Sequence, residues 1–383
     1  MNQSAALLDS LRSDGLRAFR AHGLPDRRIE TWKYTPLRGL EADADTPLST
    51  APLLVDAPRA EGLVILPLAQ AVASAATGVA ELLAGLDVSQ APQALAALNN
   101  AALDQGLYIH VPEGVDGGQL EWSWPAIDTG WRHSRICLVM APGSRLQVLE
   151  RFQAGGPGAL NVVMQVALAD RARLDHARLQ NGSPATALVT RTELSQSANS
   201  QYQYTGLDLD GPLVRHDLRS RLLGPGAQCA MRGAYLLDGA AHVDNHLEII
   251  HDARDCASEQ TFRGVLDGHA RAVFNGRVHV CPGADGSEAI QSNANLLLSA
   301  DAEVDTKPEL EIEADEVVAR HGATVGQLDE TAVFYLRSRG LPELQSRKML
   351  TGAFCRSVLE GMPDSRARTV LGSALDAALG EIS

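Results

Sequence analysis

Lysine is nearly missing from this chain: it occurs only at Lys33, Lys307 and Lys348, and Lys and Arg together number 33 in 383 residues. A phosphate-binding P-loop needs Gly-Lys-Ser/Thr, and none of these lysines follows a glycine, so ATP hydrolysis by that route is excluded. The stretch Gly224-Pro-Gly-Ala-Gln-Cys229 lacks the third glycine of a dinucleotide-binding turn and opens no helical pattern. HExxH and GxSxG are both absent. Cysteine is scarce, with Cys137, Cys229, Cys256, Cys281 and Cys355 dispersed and no CxxC, which argues against a zinc ribbon or a disulfide framework. Aromatic residues make up only 4%. Positive charge is outweighed, for a formal net charge of −14, a field that repels phosphate backbones and makes nucleic acid an unexpected partner. Long apolar runs are lacking as well. Met1 to Arg20 is interrupted by Asp9, Arg12, Asp14, Arg17 and Arg20, and the uncharged stretch Gly62 to Ala80 contains Pro67, Gln70, Ser74, Thr77 and Gly78. Neither an export signal nor a membrane span is expected, so the expected location is cytoplasmic.

What is present is periodicity of two kinds. Leu7, Leu8, Leu11, Leu16 and Phe19 predict an amphipathic helix over Ser4 to His22, with Gly23 as its C-cap. A polar stretch to about Pro58 predicts irregular chain, and the Ala- and Leu-rich stretch Ala69 to Ala102 predicts helix broken near Gly85 and Pro92. From about Gly106 the period becomes two: Val243, Leu247 and Ile249 alternate with His242, Asp244, His246 and Glu248, and Ala272, Phe274, Gly276, Val278 and Val280 with polar neighbours. Leu310, Ile312 and Ala314 alternate with glutamates in the same way. Turn signals at Gly224, Asp238, Asp252, Asp267, Pro282, Ala300 and Ala314 come at a nearly constant step, longer than that of hairpin sandwiches. Such a step fits a parallel β-helix, with Gln291, Asn293 and Asn295 as part of a polar ladder; an antiparallel sandwich is the alternative. Helical spacing returns after His321, with Asp329 opening one helix and others following from Pro342 and Ser365. The expected units are a helical region 1–105, a solenoid core 106–322 and a helical domain 323–383.

Several segments match a known signature. Phe262-Arg-Gly-Val-Leu-Asp-Gly-His-Ala-Arg-Ala-Val-Phe-Asn-Gly-Arg277, Gln291-Ser-Asn-Ala-Asn-Leu-Leu-Leu-Ser299 and Asp305-Thr-Lys-Pro-Glu-Leu-Glu-Ile312 do so, as do His321-Gly-Ala-Thr-Val-Gly326 and Phe334-Tyr-Leu-Arg-Ser-Arg-Gly340. Together they resemble the SufB/SufD family of iron–sulfur cluster assembly proteins, and Glu30-Thr-Trp-Lys-Tyr-Thr35 resembles the entry motif of its SufD branch. The resemblance implies a right-handed parallel β-helix flanked by helical segments and a non-catalytic scaffold role in a complex with SufB and the ATPase SufC. Energy would come from SufC, which fits the missing P-loop. It also implies no stably bound cofactor in the isolated chain, transient iron or an iron–sulfur cluster in the complex, and a possible homodimer in isolation. In one departure, the cysteine often found two residues before the matched histidine is here Ala319.

The candidate residues follow. The resemblance implies that His321 supplies an imidazole to iron or a nascent cluster at the SufB contact; a structural histidine at a domain junction is the alternative. Cys256, in a turn beside Arg254, matches a cysteine seen in the family, and the resemblance makes it a candidate to accept or relay sulfur or to ligate metal; an inert turn cysteine is the simpler reading. Cys137, Cys229, Cys281 and Cys355 are expected as buried fillers. His242, Asp244, His246 and Glu248 share a strand face that suits a divalent metal or, more simply, a solvated or neighbour-paired face. Trp32 and Tyr34 are expected to anchor the N-terminal segment. Tyr335, Leu336, Arg339, Met349 and Phe354 are candidates for docking SufC; the alternative, which holds for some of them, is that they pack the C-terminal helices onto each other, and sequence does not divide the two sets. Outside the family, a β-helix polysaccharide lyase or hydrolase of the exported type, or a metal-free interaction solenoid, would fit the period.

Overall fold

A computed structural model describes residues 3–37, 40, 54–56, 60–103, 105–124, 127, 129–153, 155–181, 185–363 and 365–381. Most of the polar stretch expected to be irregular before Pro58 lies outside the described residues, and within it Leu54–Asp56 forms a short strand.

Alternation of apolar and polar residues produces two nine-stranded sheets that share one interior. From Gln105–Val111 onward, successive strands of the chain join the two sheets in turn. The first sheet runs from Leu54–Asp56 to Val318–Gly326, and the second from Val64–Pro67 to Glu303–Ile312. Apart from one antiparallel pair at the N-terminal end of each sheet, all neighbours are parallel. The result is a parallel β-solenoid of about 7 turns. The ladder Val214–Val243–Ala272–Val304 shows one residue standing above the next, coil after coil. The turn-to-turn step seen in the sequence is therefore a half-circuit, since each coil spends one strand on each sheet. Backbone bonds carry the ladder round the corners, as from Cys281 N–H to His251 O at 3.0 Å.

Inward positions alternate in bulk to fill a narrow lumen. A Cβ on Gly233 would collide with the Phe262 ring, and one on Gly264 with the Tyr235 ring, so those columns require glycine opposite their aromatics. Such crowding accounts for the glycine inside Phe262-Arg-Gly-Val265.

The flanking helices cover the outer faces. The stretch 68–101 forms helices Leu68–Ala73, Val79–Ala84 and Ala94–Ala101, and Gln3–His22 packs over the last of these. At the other end lie Glu330–Ser338, Glu343–Leu359 and Arg366–Glu381. Asp329 caps the first of the three, its carboxylate accepting from Thr331 N–H at 2.8 Å. Cys355, Val358, Leu371 and Leu375 seat the other two on Leu149, Leu179, Leu207 and Val265 of the first sheet. The last strand runs to Gly326, so the boundary expected at 322 falls inside it. Among the described residues no helix is long and apolar enough to cross a membrane.

Candidate functional site

The C-terminal end of the solenoid is uncapped: no described strand pairs with the outer edge of Val318–Gly326 or of Glu303–Ile312. Every inner coil has its columns of inward side chains covered by the next, whereas the last coil leaves them open. On the first sheet Ala289, Gln291, Asn293 and Asn295 point inward and are buried, and their partners across the ladder are Ala319, His321, Ala323 and Val325. His321 thus lies within the terminal strand, not after it as its sequence context suggests, and its side chain continues a lumen column at the mouth. The opposite wall of the mouth is Val304, Thr306, Pro308, Leu310 and Ile312, stacked on Ala272, Phe274, Gly276, Val278 and Val280.

Beneath the mouth the predicted polar ladder is real and hydrogen-bonded. Gln291 Nε2 donates to Gln260 Oε1 and to Gly276 O, each at 2.9 Å. Asn295 Nδ2 donates to Asn293 Oδ1 at 2.7 Å, Asn293 Nδ2 to the Tyr235 hydroxyl at 3.2 Å, and that hydroxyl to Asn295 Oδ1 at 2.5 Å. Gln291 Oε1 and Thr306 Oγ1 remain buried without a partner, the first directly below His321 in the ladder.

Deeper still, below Phe262 and Phe274, whose rings lie 5.3 Å apart, is a charged network that sequence reasoning missed. The Glu150 carboxylate accepts from Trp122 Nε1 (3.2 Å), Trp124 Nε1 (2.8 Å) and Arg178 Nε (2.7 Å), with His176 Nε2 at 3.3 Å. Arg178 Nη1 donates to Thr190 Oγ1 at 3.1 Å, and His216 Nε2 lies 3.0 Å from Asp208 Oδ1. Burial works to raise the Glu150 carboxyl, but Arg178, His176 and Trp124 hold it well below the usual carboxylate range. The available signal was a glutamate at an inward position in Arg145–Phe152, a single residue that alternation does not separate from its outward neighbours.

The other candidates fall as follows. Cys256 is buried at a coil corner, its thiol donates to Gly224 O at 3.4 Å, and burial pushes that thiol up, so the structural role fits better than sulfur relay. Cys137, Cys229 and Cys355 are buried fillers, but Cys281 is only half-buried, a correction imposed by its place on the outer face of a corner. The face His242–Glu248 is paired rather than solvated: Asp244 is fully buried, bonded by Arg215 Nη1 (2.6 Å) and by the Thr35 hydroxyl, with His246 Nε2 3.0 Å away. Those partners occupy the carboxylate a metal would need. Trp32 does anchor the N-terminal motif, lying under the Arg215 guanidinium at 3.8 Å. Tyr34 is exposed, with the Lys33 ammonium 5.2 Å from its ring. Of the docking candidates, Tyr335, Arg339 and Met349 are exposed and Leu336 half-buried. Phe354 is half-buried against the core beneath the C-terminal helices, with the Arg263 guanidinium 5.9 Å over its ring, because its helix turns that face to the sheet. Phe334, 69% exposed, belongs to the surface and was overlooked.

Residues 126–354 match the family model for the SUF system FeS cluster assembly SufBD core domain. The chain is 28% identical to the iron–sulfur cluster assembly protein SufD of Escherichia coli over 89% of its own length and 86% of that protein. It is 26% identical to SufD of Bacillus subtilis, over 74% of this chain and 66% of that one. A SufBD-family iron–sulfur cluster assembly protein of Synechocystis is 35% identical over 53% of this chain, a match spanning 45% of that relative. A parallel solenoid built on the signature segments, bearing the SufBD core and aligned nearly end to end with a SufD, places this chain in the SufB/SufD family of iron–sulfur cluster assembly proteins, on its SufD-like side.

Proposed function

We propose that this chain is the scaffold subunit of a SufB–SufC–SufD complex, pairing with SufB through the open end of its solenoid and docking SufC on its C-terminal helices. One observation carries the reading: an uncapped terminal coil that presents His321 on a lumen column. An open coil end offers unpaired backbone donors and acceptors together with exposed apolar side chains, here Ile312, Val318 and Val325. Such an edge is a ready template for pairing with another chain, and a related solenoid supplies matching edges. A second copy of this chain would serve in isolation. The chain is non-catalytic, ATP turnover belongs to SufC, and iron or a nascent cluster is cargo held transiently at the junction. His321 contributes one ligand or iron-entry group from this side, with Gln291 Oε1 below it as the acceptor that orients the imidazole.

His321→Ala is expected to lower the iron and sulfide content of the co-purified complex by about 10-fold or more. Subunit stoichiometry should hold, since removing an exposed side chain costs no more than about 0.5 kcal/mol. Normal loading in the mutant complex would refute the ligand role, and a dissociated complex would assign the histidine to structure. Cys256→Ser should load normally because its thiol is buried.

For SufC, the exposed side chains Phe334 (69%) and Tyr335 (57%) of Glu330–Ser338 and Met349 (48%) of the following helix, with Leu336 and Arg339, are the docking surface. The double change Tyr335→Asp, Met349→Asp is expected to abolish SufC capture while leaving the unfolding midpoint in place. Capture with unchanged affinity would move the docking surface elsewhere.

A further inference from the structure

The outer face of the second sheet carries a donor cluster that neither the lumen nor the C-terminal helices use. His279 points outward near the end of Arg271–Val280, and Cys281 follows at the corner. The next coil sets Glu311 in register beside His279 and brings Glu313 round the same corner. Both corner positions are fixed by the continuing backbone ladder, Cys281 N–H to His251 O at 3.0 Å and Glu313 N–H to Val280 O at 2.9 Å. His279 Nε2 lies 3.6 Å from Glu313 Oε2 and 4.0 Å from the Cys281 sulfur. Among the described residues, His279, Glu311 and Glu313 are the one group of three or more His, Cys, Asp or Glu whose donor atoms all fall within 4.8 Å of one another.

We propose that His279, Cys281, Glu311 and Glu313 form a binding site for a divalent transition-metal ion of the zinc or ferrous type. A tetrahedral ion with thiolate at about 2.3 Å and imidazole nitrogen at about 2.0 Å sets those two atoms roughly 3.5 Å apart. The present spacing is within a small rotation of the ring and the thiol from that. One thiolate, one imidazole and two carboxylates form a borderline-soft set that selects such ions over magnesium or calcium. Two cations compete, and each has another partner. Arg277 holds Glu311 but also Glu248, so it stays paired when Glu311 turns to the metal. Arg221 is engaged by Asp252, which accepts the Cys281 thiol at 3.1 Å. Binding releases that thiol proton to solvent. The inference stands on the donor set and the register alone, independent of the assembly reading, and the site lies on the opposite sheet from His321.

The test uses the full chain, reduced and free of oxygen, titrated with Co2+ alone. The expected result is one equivalent bound with an ultraviolet thiolate-to-cobalt charge-transfer band. That band reports Cys281, because the other four cysteines are buried. Cys281→Ser should abolish the band, and His279→Gln and Glu313→Gln should each weaken binding by about 10–100-fold, with unchanged circular dichroism. His321→Ala should leave band and affinity as they are. Absence of the band, its survival in Cys281→Ser, its loss in His321→Ala, or an affinity in His279→Gln within about twofold of the wild type would each overturn the proposal.

Discussion

Replacing Arg178 by methionine is expected to lower the free energy of unfolding by about 3–5 kcal/mol, read from urea denaturation at neutral pH. Arg178 and Glu150 are both fully buried in the lumen, 2.7 Å apart, so losing the guanidinium leaves a buried carboxylate without its permanent countercharge. Trp122 and Trp124 still donate to it, which lessens the penalty without cancelling it. Methionine also forfeits the bond to Thr190 and the stacking over Phe152 (5.8 Å) and Tyr204 (5.4 Å). Adding Glu150→Gln should recover part of the loss, since the charge itself is the larger cost. A single mutant within about 1 kcal/mol of the wild type would mean that water or a proton reaches Glu150.

Acid should unfold the chain in two stages. His133 stacks on Trp131 at 5.6 Å and accepts from Asn161 Nδ2, while His251 uses Nε2 on Ser258 and leaves Nδ1 buried without a partner. Burial holds both imidazoles down to about 4 from an ordinary value of 6.5. The unfolded chain therefore takes up two protons from pH 6.5 downward that the folded chain refuses until about 4. Stability is full above 6.5, declines across that interval by roughly 3 kcal/mol for each imidazole, and stays lost below it. Glu150 and Asp244, whose carboxyls sit below the usual range, contribute in the same direction lower down: their stabilisation is complete above ordinary carboxylate values and is lost as pH falls through the folded ones. Urea midpoints at about pH 7.5, 5.5 and 4.2 check the first stage, and His251→Asn should about halve it, leaving the part due to His133. A midpoint constant over that range would show that the imidazoles are already charged inside the fold.

Much of the architecture was legible because a parallel solenoid is a nearly one-dimensional object. Its period-two strands and regular corners are local properties, and the alternation of Val243, Leu247 and Ile249 identified the inward face correctly. The ladder of Gln291, Asn293 and Asn295 was legible for the same reason. The helices fared less evenly. The Asp329 cap is local and legible, whereas the side of Glu343–Leu359 that meets the sheet is not, so sequence leaves open which of Tyr335, Leu336, Met349 and Phe354 pack inward, and only the fold seats Phe354 against the core and leaves Phe334 exposed.

By itself the sequence determined the family, the solenoid, the helical flanks and the lack of a P-loop, because each rests on residues near one another in the chain. What the tertiary structure decided is everything that depends on which coil lies above which. It placed His321 inside the terminal strand at an open mouth, gathered Glu150, His176, Arg178, Asp208 and His216 into one buried network, and set Glu311 and Glu313 beside His279. Those groupings join residues a full coil or more apart, and the register that unites them is fixed by the packing of the whole lumen, not by any single strand.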